Sequence, residues 1–130
     1  MNFEKLLKVL LYLVGLHSFL VGIGLIVLPV SSMSQFGFEV MGGKFFSAQG
    51  GVFHLVMSLA YVWAAMNVQK YQILILFSIA AKFIATVFLF SYFFLMEYIW
   101  MVLLSGIGDF LMGILMLFLY AKANKSWQVE

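Results

Sequence analysis

Four residues able to do acid–base or ionic chemistry stand alone in long apolar surroundings: His17, His54, Lys82 and Asp109. An imidazole gains or loses a proton near neutrality. A lysine and an aspartate can form an ion pair. A fifth polar residue, Gln49, lies just before His54 and adds hydrogen-bonding capacity. These five are the candidate site residues. Three kinds of chemistry suit them: an ion pair that holds helices in register, a proton relay, or a binding site for a polar group dissolved in lipid.

The elements that carry them identify the solvent. The chain has 130 residues, of which 65% are hydrophobic and 9% charged. Soluble domains carry about 25% charged residues, and a domain this small cannot hide so much apolar surface from water. A soluble enzyme, a disulfide scaffold (there is no cysteine) and a disordered chain are excluded. There is no arginine and the net charge is +2, so nucleic acid is not a partner. Lipid is.

The apolar residues form four runs, Val9–Val30, Phe45–Ala65, Ile73–Met96 and Tyr98–Ala121. Each has about the 20 residues that span the hydrocarbon core as a helix. Helix is required because lipid offers backbone groups no partner, and nothing here alternates as barrel strands do. The expected fold is therefore all-α: a single domain over 1–130 with four antiparallel transmembrane helices, at about 9–30, 45–65, 73–96 and 98–121, running up-down-up-down. The first run follows Lys5 and Lys8 but is too long for a signal peptide and is read as a retained helix. The sole proline, Pro29, lies at its end.

The first connection, Ser31–Lys44, is the longest; it holds Gly37, Gly42 and Gly43, and its Phe36 and Phe38 suit an interface. Lys5, Lys8, Lys70, Lys122 and Lys125 fall on one side of the four runs and Lys44 on the other. The positive-inside rule then places both termini in the cytoplasm. Tyr61, Trp63, Tyr71, Tyr120 and Trp127 read as an inner aromatic belt, with Tyr92, Tyr98 and Trp100 as the outer one.

In an antiparallel hairpin, residues at equal depth have numbers whose midpoint falls in the turn. The midpoints for His17 with His54, His54 with Lys82, and Lys82 with Asp109 all fall in the connections. The four residues are expected at one level near the bilayer centre, where a charge costs about 2.5–3.5 kcal/mol. Each has small or polar residues at helical spacing: Gly15, Ser18 and Gly22 near His17; Ser47, Gly50, Gly51 and Ser58 near His54; Ser78 and Thr86 around Lys82; Ser105, Gly106 and Gly113 around Asp109. Such stripes line helix contacts in lipid. Lys82 and Asp109 are expected to pair across adjacent helices. Two histidines without the Glu-x-x-His ligands of di-iron bundles do not make a metal centre, so no metal and no cofactor are assigned. No GxSxG elbow exists and no catalytic residue is assigned.

The Gly-rich first run closing on Pro29, the segment Phe46-Ser47-Ala48-Gln49-Gly50-Gly51, and Ser105-Gly106-Ile107-Gly108-Asp109 followed by Gly113 together resemble the DoxX-like group of small four-span bacterial membrane proteins. The resemblance implies the four-helix fold and, as the expected location, the inner membrane of a bacterium. It also implies partnership, because some members are described as membrane subunits of quinone-linked oxidoreductases. It lends no catalytic residues. The reading that follows is a non-catalytic accessory subunit or a lipid- or quinone-binding protein, alone or as a homo-oligomer. The alternatives are a small proton-coupled carrier or channel using the His/Lys/Asp cluster, and a membrane enzyme with His17 or His54 as acid–base group.

Overall fold

In the computed structural model, residues 2–39 and 43–127 are described; Gly42 of the first connection lies outside them. The chain forms four long helices and no strand among these residues: α1 Phe3–Val27, α2 Phe45–Met66, α3 Gln72–Leu95 and α4 Trp100–Trp127, with a 3-10 segment, Val30–Phe36, between α1 and α2. All four are long and apolar enough to cross a membrane. The protein is a small integral membrane bundle of antiparallel helices. Mean hydropathy is lowest for α2, at 1.3 against 2.2 or more for the others, because α2 carries Ser47, Gln49, His54 and Ser58.

The ends of the helices follow local chemistry rather than apolarity alone. α1 starts six residues before the apolar run, because Asn2 caps it: its side-chain oxygen accepts from Lys5 N at 3.0 Å, with Glu4 in the first turn. It stops at Val27 rather than Val30. Pro29 disfavours helix for the residue before it, and Leu28 is accordingly extended, at φ −62° and ψ 136°. The carbonyls left over at this end find side-chain donors on α2: Ser47 Oγ donates to Leu25 O at 3.1 Å, and Lys44 Nζ donates to Leu28 O. The single lysine at this end thus satisfies a helix terminus. Between α2 and α3, Asn67 shapes the turn by accepting from Lys70 N at 3.0 Å.

The apolar core sits in the half of the bundle that carries the termini. Leu7, Leu11, Tyr61, Ala65, Ile75 and Met116 are buried there, drawn from all four helices. The same end is tied by polar groups. Gln69 Nε2 and Trp127 Nε1 both donate to Glu4 Oε2, at 2.9 and 2.8 Å, and Tyr120 OH donates to Gln72 Oε1 at 3.0 Å. Trp127 and Tyr120 combine an apolar body with a wet tip, as belt residues do. Tyr61 departs from the expected inner belt: it is 2% exposed and belongs to the core.

At the opposite end the 3-10 segment closes on Gly37, whose φ of +89° is left-handed and suits glycine. A Cβ at Gly37 would lie 3.0 Å from Trp100 Cδ1. Phe36 packs on the Trp100 ring, with centroids 6.4 Å apart. Of the two aromatics expected at an interface, Phe36 therefore covers the start of α4.

Candidate functional site

The two hairpins, α1/α2 and α3/α4, are joined by different means. Between α1 and α2 the contact is made by small residues. A Cβ on Gly22 would lie 2.8 Å from Gly51 O, and one on Gly51 would lie 2.6 Å from Gly22 O. Such close approach lets short hydroxyl side chains bridge the helices. Ser58 Oγ donates to Gly15 O at 2.9 Å, and Ser18 Oγ donates to the His54 carbonyl at 3.1 Å. Ser18 Oγ also lies 3.2 Å from His54 Nδ1. A hydroxyl has one proton, so the serine that donates to the carbonyl accepts from Nδ1–H. His54 is then left with Nε2 as an acceptor.

Between α3 and α4 the contact is ionic. Lys82 Nζ lies 2.5 Å from Asp109 Oδ1, with side-chain exposures of 6% and 16%. The pair expected from the sequence forms. Gly113 makes room for it: a Cβ there would meet Lys82 Cβ at 3.4 Å and Phe83 at 3.5 Å. Tyr61 of α2 reaches across, with Lys82 Nζ 5.7 Å from its ring centroid, a cation–π contact between the hairpins. Thr86 Oγ1 donates to Lys82 O at 2.8 Å. One turn before Lys82, the Ser78 hydroxyl is fully buried and has no hydrogen-bond partner among the described residues.

The five sequence-derived site residues therefore separate into three environments. Lys82 and Asp109 meet inside the bundle. His54 is half-buried against Ser18. His17 and Gln49 are on the outer surface of the bundle, and neither has a hydrogen-bond partner among the described residues. The stripe that turns inward on α1 is Gly15, Ser18 and Gly22, all buried. On α4, Gly106 and Gly113 are buried while Ser105 is exposed. Tyr61 is the polar-centre residue that sequence reasoning missed. Its signal was present: it follows Ser58 by three and His54 by seven, on the inward face of α2.

Beside this centre, a groove of about 760 Å³ opens on the outside of the bundle between α2 and α3. It is lined by Phe53, Phe77, Ala80, Ala81, Ile84, Ala85 and Phe88. The alanines leave the hollow that the aromatic rings border. Its position follows from packing: α2 and α3 lie against each other less extensively than α1 and α2 do. Gln49 precedes Phe53 by one turn and so shares its face of α2. Among the described residues no cluster of three or more His, Cys, Asp or Glu is placed to hold a metal ion.

The chain matches no family model, no curated protein and no solved structure.

Proposed function

We propose that this integral membrane protein is a non-catalytic subunit that holds the hydrocarbon part of a lipid or quinone in the α2–α3 groove. The observation that carries the reading is the groove itself. It is a hollow of about 760 Å³ open along one side, with six of its seven lining residues on α3 and Phe53 on α2, so it suits a chain lying along the helix rather than an enclosed ligand. Its lining is apolar, and it faces the bilayer rather than water, so a ligand dissolved in lipid enters sideways. Gln49, on the same face of α2, offers a donor and an acceptor to a carbonyl or ester of such a ligand. Lys82 and Asp109 satisfy each other, which suits a positioning role better than catalysis. The resemblance to DoxX-like proteins, some of which are described as membrane subunits of quinone-linked oxidoreductases, supports this reading.

The test is photo-crosslinking in native-like nanodiscs, using a diacyl phospholipid probe in one arm and a polyprenyl quinone probe in the other. Labelling should map to Phe53, Ala81, Ala85 and their neighbours, and Ala85→Trp should suppress it while the protein stays folded. Uniform labelling around the bundle would sink the idea.

A second reading, a proton-coupled carrier or channel, is favoured by Ser78. Its buried hydroxyl has no hydrogen-bond partner among the described residues and lies one turn from Lys82, so it can extend the polar track of the ion pair. If protons pass here, Asp109→Asn abolishes pH-dependent flux in liposomes; a parent protein without flux rejects this reading.

A further inference from the structure

His17 lies deep in α1, about 21 Å along the axis from its start and about 15 Å from its end. It precedes Ser18, which is 2% exposed and bonded to His54. The imidazole is thus at the depth of the polar centre, yet it points out of the bundle. Lysine and arginine at such a depth can reach the headgroups along their long stems. An imidazole cannot cross that distance. Acyl chains offer it no hydrogen bond, and an unsatisfied polar group in hydrocarbon costs several kcal/mol. Ionisable residues in membrane helices almost always face protein or a water-filled cavity. A polar side chain on a neighbouring membrane-embedded helix, packed against this face of α1, can supply that bond.

The face around His17 suits a helix. Leu13 and Leu20, one turn to either side, are 58% and 59% exposed. Gly24, two turns on, has only Leu28 Cδ1 near the place of a Cβ, at 3.8 Å, so a neighbouring backbone can come close. A neutral imidazole carries one donor and one acceptor, so it is complementary to itself. A two-fold axis crossing α1 beside His17 brings each imidazole to its twin and repeats the leucine–glycine face on both sides. Gln49, another outward polar residue, belongs to the groove face of α2 and does not compete for this role.

We propose that α1 carries a self-association face centred on His17, occupied by a second copy of this chain. The interface is independent of the groove and of what the groove binds.

The absence of cysteine makes the test direct. Single cysteines at Leu13, Leu20 and Gly24 report on the face; cysteines at Leu16 and Phe19, also exposed, point elsewhere on α1. Oxidation in the membrane should link two chains through the first three positions and barely through the other two. Two differently tagged copies identify the product. In the Leu20→Cys background, His17→Leu should lower the dimer association constant, read from linking across a series of protein-to-lipid ratios, about tenfold, the scale of one interhelical hydrogen bond in lipid, while His17→Gln retains most of it. Helical content of each variant, measured in parallel, separates loss of the interface from loss of the fold. Equal linking at all five positions, no linking, linking to a different protein, or a dimer indifferent to His17→Leu in a folded chain would each overturn the proposal.

Discussion

Gly22 of α1 and Gly51 of α2 face each other backbone to backbone, closely enough that a methyl group on either would press on the other's carbonyl oxygen, at 2.8 and 2.6 Å. Carbonyl oxygens cannot swing aside as side-chain ends do, so the helices themselves would have to part. The serine bridges further along the same interface, Ser18 to His54 and Ser58 to Gly15 toward the termini and Ser47 to Leu25 toward the other end, depend on that distance. The two glycines therefore hold His54 in place as well as α1.

Gly51→Ala is expected to lower thermal stability in detergent by about 1–3 kcal/mol, the usual cost of overpacking. Gly108→Ala is the matched control. A Cβ there meets nothing within 4 Å, and replacing a helix-interior glycine gains about 0.5–1 kcal/mol. Unfolding curves of the two variants should shift in opposite directions.

Removing one partner of the Lys82–Asp109 pair leaves a lone ionisable group inside the bundle. Lys82→Met and Asp109→Leu should each cost about 3–5 kcal/mol, and the double variant should recover much of that loss. A double-variant cycle in detergent checks this; strictly additive losses would show that the two side chains do not act together.

Ser18 makes two contacts with His54 from one hydroxyl. Ser18→Ala should destabilise the α1/α2 hairpin by about 1–2 kcal/mol, the value of such bonds in model membrane helices. Ser34→Ala, at an exposed serine whose hydroxyl donates to Ser31 O within its own turn, should change thermal stability by less than about 0.5 kcal/mol.

The orientation expected from the lysines is open to labelling. With cysteine introduced at Ser32 or Gln69, an impermeant maleimide added to intact cells should react at Ser32→Cys and not at Gln69→Cys. Reaction at Gln69→Cys would invert the topology.

Four membrane spans and the pairing of Lys82 with Asp109 were legible in the sequence, because a run of about 20 apolar residues has one stable form in lipid and charges at matched depth in adjacent helices seek each other. Which face of each helix turns inward was not. In a soluble helix the apolar stripe marks the core; here lipid and core are both apolar, so Leu13 and Leu11 look alike in sequence although one is exposed and the other buried. Packing decided between them, through residues small enough to let backbones meet. That is why Ser18 turns inward while its neighbour His17 turns outward, and why Tyr61 leaves the aromatic belt for the core. The helix ends were set by Asn2 and Pro29, signals of local chemistry that an apolar count passes over. The α2–α3 groove exists only in the tertiary structure, because it is the space left where two helices separate.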